Sequence, residues 1–330
     1  MHFTLLVAGA LIPDKLATEL TPLLDIPNLK TRLSRAMLIE TIARSSDADA
    51  DGCTAHLDWL ARKLFHQAPP APTAPYAFGQ ISGTTPISPI WHADPVHIEI
   101  ARDHLVVQTF DGDGPTAEES RHLVGIANEL LAEGDCELVI VDDRWFLATE
   151  RQWTIDAAPL SGVNGRPVSM PTGADANAWT RLHNEIQMAW HTHSVNAARE
   201  ANGRRTVNAL WLYGGGCWKP LRSIEFAQVH CHAPEWQGAA RAAGAHGARF
   251  DDNVIDSALL ISDDVVLARE REDWSAWLRA MKAIDVRLGD HADDAIDIVL
   301  TGASARSYAS RPSDRYRPWR RRALAEALTE

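Results

Sequence analysis

Cysteine is scarce in this chain of 330 residues: Cys53, Cys136, Cys217 and Cys231 are its only thiols, and none forms a Cys-x-x-Cys pair. That spacing excludes a dense disulfide framework and a four-thiolate zinc site, and it predicts free thiols in a reducing compartment. Long apolar runs are missing as well, since no stretch approaches the roughly 18 residues of a membrane span. The N-terminal run Phe3–Ile12 has no basic stretch before it and stops at Pro13-Asp14-Lys15. It reads as a buried first strand and not as an export signal, so the expected location is cytoplasmic. Basic residues are outnumbered, 32 Lys and Arg against 44 Asp and Glu, for a formal charge of -12. A body of that sign does not bind nucleic acid nonspecifically. What is present is ordinary globular composition, 45% hydrophobic and 23% charged. A chain of this length buries about three quarters of its unfolded surface and needs no staple.

Periodicity predicts helices around Asp14–Asp25, Lys30–Ser45 and Thr54–His66. Residues 68–90 then carry six of the eighteen prolines, which predicts an extended crossing and a boundary. His104–Phe110 reads as a strand, followed by a turn at Asp111–Gly114. Thr116 and Glu119 fit a capping box that opens a helix ending at Gly134. Glu137–Val141 and Arg144–Thr149 form a strand pair around Asp142-Asp143. A long helix is expected from Asp175 to about His193 and another over Asp273–Leu288, with strands at Asn208–Tyr213 and near 224–230, 258–267 and 296–301. Strands alternating with helices predict an α/β core with a mostly parallel sheet. The division expected is a core of residues 1–90 and 174–302, an inserted α+β lobe at 91–173, and an Arg-rich segment at 303–330.

Candidate chemistry concentrates in Asn184–Gly216. A helix ending near His193 places Ser194 and Asn196 in a polar turn, and Gly214-Gly215-Gly216 follows a buried strand. Open α/β sheets bind ligands beyond the carboxyl ends of strands. Successive glycines turn backbone N–H groups toward one point, and Arg199 supplies a bidentate grip on an oxyanion. A plain Gly-rich turn is the alternative. His230 and His232 share one face of a strand and suit a metal ion, or they are ordinary half-buried histidines. Asp251-Asp252 and Asp263-Asp264 read as turn and cap residues. Between Ala303 and Arg322 there are seven arginines and one aspartate, interleaved with Tyr308, Tyr316 and Trp319. Such a segment folds back on an acidic body, grips a small anion, or meets nucleic acid or an acidic partner.

The pattern His193-x-Val195-Asn196-x-x-Arg199-x-x-x-Gly203, then Asn208-x-x-Trp211-x-Tyr213-Gly214-x-Gly216, resembles the signature of the archaeal-type cofactor-independent phosphoglycerate mutases of the alkaline phosphatase superfamily. Ser194, Val207 and Tyr213 depart from it. Asp94-Pro95-Val96-His97, Asp142-Asp143-Arg144-Trp145, Asn184–Met188 and Asp314–Trp319 are similar to the RpfE-type regulatory proteins, often labelled phosphoglycerate-mutase-like. The resemblance implies an alkaline-phosphatase-like three-layer core. It also implies ligand binding by His193, Asn196, Arg199, Asn208, Trp211, Gly214, Gly215 and Gly216. The mutase reaction needs a pair of divalent ions and a Ser nucleophile. Where the family has an Asp-Gly motif, the first strand here ends Val7-Ala8-Gly9-Ala10-Leu11-Ile12-Pro13, leaving only Asp14 nearby. Asp273 stands where the family has an Asp followed by Gly-His, without the His. Ser45, Ser46 and Ser82 lack a metal context. The expectation is a catalytically degenerate relative without a cofactor, binding a small phosphorylated or carboxylated ligand in a regulatory role. The alternatives are an Mn- or Zn-dependent phosphotransferase using Asp14, Asp263, Asp273 and His230 or His232, and an interaction protein acting through its Arg-rich end.

Overall fold

The computed structural model describes residues 1–42, 54–100, 104–110, 112–317 and 319–330. Ser45, Ser46, Cys53 and Asp111 lie outside the described residues. The chain divides into two units, 1–69 with 221–330, and 70–220. The strands in chain order are β1 (His2–Val7), β2 (Met37–Ile42), β3 (Ile90–Ile100), β4 (Leu105–Gln108), β5 (Cys136–Val141), β6 (Arg144–Thr149) and β7 (Pro167–Val168), then β8 (Ala209–Gly216), β9 (Gln228–His230), β10 (His246–Ala248), β11 (Ala258–Ser262), β12 (Ala295–Thr301) and β13 (Ala305–Ser310).

The first unit is α/β. Its sheet runs β10-β9-β11-β1-β12-β13-β2, parallel as far as β12 and antiparallel over the last two pairings. Strand β11, Ala-Leu-Leu-Ile-Ser, is buried throughout, as a strand covered on both faces must be. Helices 14–20, 27–35 and 274–289 pack Ala17, Leu29, Leu33, Trp277, Met281 and Ile284 onto Phe3, Leu5, Val7, Leu260 and Ile298. Three expectations change here. The helix predicted over Lys30–Ser45 ends at Arg35, and Met37–Ile42 is a strand because β13 supplies its ladder. The strand predicted to 267 stops at Ser262, and 264–270 is helical. The Arg-rich segment, set apart from the core in the expected division, belongs to its sheet, since residues 305–310 pair with β12 as a strand.

The second unit is antiparallel, ordered β5-β6-β3-β4-β7 with β8 also paired to β3. Helices 117–131 and 176–191 cover it, burying Leu123, Leu131, Trp179, Leu182, Ile186 and Trp190 against Trp145, Leu210 and Leu212. Residues 174–220, expected in the α/β core, pack here instead, because β8 runs along β3 with Ala93 opposite Leu212 and Val96 opposite Ala209. Within 68–90, expected as an extended crossing, Ala74–Ser82 is a helix. Pro75 sits in its first turn, where a missing N–H costs nothing. The predicted capping box is present: Thr116 Oγ1 accepts from the Glu119 N–H at 3.2 Å, and Glu119 Oε2 accepts from the Thr116 N–H at 2.7 Å. Asp142 and Asp143 turn the β5–β6 hairpin with φ of 49° and 65°, as a two-residue primed turn requires. Among the described residues, no helix is long and apolar enough to cross a membrane.

Candidate functional site

The carboxyl ends of the parallel strands are where an open α/β sheet binds ligands. In the first unit the end of β1 is filled. Ala8, Gly9, Ala10, Leu11 and Ile12, which continue β1, are all buried. Gly9 has φ of 85°, and a Cβ there would lie 2.6 Å from Val266 Cα, so helix 264–270 sits directly on the strand end. Trp277 Nε1 donates to the Gly9 carbonyl at 3.0 Å. From the other side, the Ile12 N–H donates to the Leu328 carbonyl at 2.9 Å and the Glu330 N–H to the Ile12 carbonyl at 3.0 Å. The Glu330 carboxylate accepts from Arg269 at 2.6 Å and from the Ala303 N–H at 2.8 Å, while Arg269 also donates to the Leu11 carbonyl.

The five metal candidates do not converge. Asp14 is exposed at the start of helix 14–20. Asp273 caps helix 274–289, its Oδ1 accepting from the Ala276 N–H at 2.9 Å. His230 is fully buried with both ring nitrogens engaged, Nδ1 to the Arg249 carbonyl at 3.1 Å and Nε2 to Gln228 Oε1 at 2.8 Å. His232 is exposed and lies against the Phe250 ring at 5.6 Å. Asp263 is partly exposed at the end of β11, but its Oδ2 is shut off from solvent and has no hydrogen-bond partner. Burial pushes this carboxyl up to about 8, with Glu235 and Asp264 adding like charge. Among the described residues, no three His, Cys, Asp or Glu side chains come together as a metal site. A pair of dications needs several anionic ligands in one shell, and these residues do not fit that group.

The motif residues expected to hold a ligand are engaged within the second unit. Helix 176–191 ends two residues before His193, which caps a further helix, 194–201, its Nδ1 accepting from the Val195 N–H at 3.2 Å. The predicted polar turn is therefore helical and Asn196 points inward. Its amide donates to the Trp190 and Val207 carbonyls at 2.9 and 2.8 Å and accepts from the Val207 N–H at 2.9 Å. Asn208 clamps β3 in the same fashion, accepting from the Ile98 N–H at 2.7 Å and donating to its carbonyl at 2.9 Å. Trp211 is buried and donates to the Ala158 carbonyl at 2.9 Å.

Arg199 has no exposed side-chain surface. Its guanidinium donates to the Arg205, Gly114 and Asp113 carbonyls at 2.7, 3.3 and 2.5 Å, pairs with Glu119 at 3.0 Å and lies 5.3 Å from the Phe110 ring centre. A fork spent on four protein acceptors cannot also grip a solvent-borne anion. That corrects the expectation from sequence.

Gly214–Gly216 correct it a second time, because they are strand and not loop. Gly214 takes φ of 59°, and a Cβ on Gly215 would fall 1.9 Å from Trp91 Cδ2. The glycines let β8 lie flush on an indole. Gly215→Ala is expected to destabilise the second unit by about 1–3 kcal/mol in urea unfolding, the usual cost of overpacking; an unchanged midpoint would reject this explanation of the glycine.

The C-terminal arginines all belong to the first unit. Arg311 pairs with Asp297 at 2.8 Å, Arg315 with Asp293 at 3.6 Å, and Arg317 and Arg320 with Asp314 at 3.3 and 3.6 Å. Tyr316 and Trp319 are exposed, at 69% and 74%. Sequence reasoning missed the residues that face this segment: Asn28, Thr31, Arg32 and Arg35 of helix 27–35. The available signal was Arg32 and Arg35 three apart, one helical turn on the polar side of an amphipathic segment.

No protein-family model matches the chain, and no curated protein does. Among the solved structures that match, two align with nearly all of it. The cofactor-independent phosphoglycerate mutase from Thermoplasma acidophilum DSM 1728 is 15% identical with a TM-score of 0.41, covering 99% of this chain and 94% of that one. The PH0037 protein from Pyrococcus horikoshii is 14% identical with a TM-score of 0.55, covering 99% and 91%. At such identity the likeness concerns fold alone, and what it establishes is that this chain shares the α/β fold of the PH0037 protein.

Proposed function

We propose that this chain is a catalytically degenerate phosphoglycerate-mutase-like protein that acts by binding a small oxyanion and not by turnover. The sequence signature from His193 to Gly216 supports the kinship, since several separate motifs recur in one order. The observation that carries the loss of catalysis is the closed carboxyl end of β1, the central strand of the first unit's sheet. Helix 264–270 and residues 328–330 pack on the strand end that a bimetallic centre would need. Phosphoryl transfer by a metal pair requires an open position between the ions for the attacking and leaving oxygens. Buried Ala8, Gly9 and Ala10 offer neither ligand nor room.

Elemental analysis of protein dialysed against Mn and Zn, run with phosphoglycerate and p-nitrophenyl phosphate assays, tests this reading. Substoichiometric metal, no turnover and measurable heat on titration with a phosphorylated metabolite are expected. A stoichiometric ion pair with metal-dependent turnover would establish the alternative, a working phosphotransferase.

A further inference from the structure

Helix 27–35, the turn at 290–294 and residues 310–315 enclose a cleft of about 180 Å³ in the first unit. Four arginines line it, Arg32, Arg35, Arg311 and Arg315, against two carboxylates, Asp293 and Asp314. Asp314 is already committed: its Oδ2 accepts from the Arg311 N–H at 2.9 Å and its Oδ1 pairs with Arg317 and Arg320. Asp293 is almost wholly exposed and lies 3.6 Å from Arg315, a weak surface pair.

Arg32 is the unusual member. Its terminal nitrogens donate to the Asp294 and Ala292 carbonyls, both at 3.2 Å, to Ser310 Oγ at 3.1 Å and to the His291 carbonyl. Every one of those acceptors is neutral, so a half-buried cation sits beside the cleft with no carboxylate among the described residues bonded to it. Asp294 and Asp293 act on it only through space; a desolvated charge without a bonded counter-charge is costly, and an anion in the cleft would supply one. One turn further on, Arg35 makes, among the described residues, a single hydrogen bond, to the Arg315 carbonyl at 3.3 Å, and no ion pair. Its remaining donors, with those of Arg315, form planar forks of the shape that matches carboxylate and phosphate oxygens. The volume is well below the roughly 300–1,000 Å³ of drug-sized sites, which restricts the occupant to a few heavy atoms beyond its charged groups.

We propose that this cleft binds a compact oxyanion carrying two or more negative charges, held by Arg35 and Arg315 over the fixed charge of Arg32. The site rests on the reading that the protein acts by binding an anion, and it gives that reading a place. Phosphate esters and small polycarboxylates share the recognised chemistry.

Calorimetric titration with inorganic phosphate, 3-phosphoglycerate and citrate, on the wild type and on Arg35→Ala, tests the proposal. Arg35→Ala removes one long hydrogen bond and leaves the core intact. Arg315→Ala, whose side chain is 59% exposed, serves as the second variant. Binding of at least one probe is expected, weakened about tenfold or more in either variant, the order of a lost charge-assisted contact. Preference for the two phosphates over citrate assigns a phosphate ester, and the reverse a polycarboxylate. Affinity unchanged in both variants would move the anion elsewhere and overturn the cleft, leaving the proposed function standing. No binding of any probe by the wild type would overturn both.

Discussion

Replacing Arg199 by methionine will cost the second unit about 3–5 kcal/mol, the range found when one partner of a buried ion pair is removed, and will leave anion affinity where it was. The first effect follows from what the guanidinium holds. Three carbonyls on two separate segments, Asp113, Gly114 and Arg205, point at it, as does the Glu119 carboxylate that also caps helix 117–131. Methionine matches the bulk but satisfies none of these acceptors, and each buried acceptor left unpaired carries its own penalty. Arg199→Lys will recover little, because one ammonium cannot reach four acceptors spread around a planar fork. Urea unfolding followed by the fluorescence of Trp145, Trp153, Trp179 and Trp190, which lie in that unit's core, reads the loss. A stability change below about 1 kcal/mol, the ordinary size for an incidental substitution, or a parallel loss of anion binding by the folded variant, would return Arg199 to the role its motif suggests.

Asp263→Asn will raise the stability of the first unit, and the gain will grow with pH. The Asp263 carboxyl is pushed up to about 8 by burial, with Glu235 and Asp264 reinforcing the shift. In the unfolded chain it titrates near the ordinary value of about 3.9. Below pH 4 both states hold the proton and the group contributes no pH dependence. Between pH 4 and 8 the folded state keeps a proton that the unfolded state has released, so stability falls as pH rises through that window. Above pH 8 the folded protein carries a buried charge whose Oδ2 has no hydrogen bond. Asparagine is nearly isosteric and never ionises. The variant is expected to match the wild type near pH 4 and to exceed it increasingly up to pH 8, by at most about 5 kcal/mol, each unit of the shift being worth about 1.4 kcal/mol. For a unit of this size that is worth about 2–4 °C per kcal/mol in melting temperature. Melts from pH 4 to 9 decide the matter: a gap that does not widen with pH, or a variant less stable throughout, means the carboxylate has a partner. Cys231 shares the surroundings, and its thiol is pushed up by burial and by the charge of Asp263. It is correspondingly expected to resist alkylation in the folded protein.

What could be read in advance had local causes. Thr116 with Glu119 announces a helix start because both hydrogen bonds close within three residues. Asp142-Asp143 announces a hairpin because both residues tolerate positive φ. The alternation of apolar strands with amphipathic helices was enough for the α/β class. Misreadings arose where the deciding partner lies far along the chain. Met37–Ile42 has helical neighbours and became a strand only because residues 305–309 pair with it. Gly214–Gly216 look like a phosphate loop in isolation, yet pairing with β3, where Ile90 lies opposite Gly216, makes them a strand.

The sequence by itself determined the α/β class, many of the strands and helices of each unit, the caps and turns that start and stop them, and the resemblance carried by the His193–Gly216 pattern. The tertiary structure alone decided which charges are used up and which are left over. An arginine has the same side chain whether it braces a loop or awaits an anion. Arg199 became internal when Asp113, Gly114 and Glu119 folded around it, whereas Arg32 and Arg35 acquired Arg311 and Arg315 as neighbours from the far end of the chain. Burial and counter-charge are properties of the assembled neighbourhood, and no spacing along the backbone encodes them.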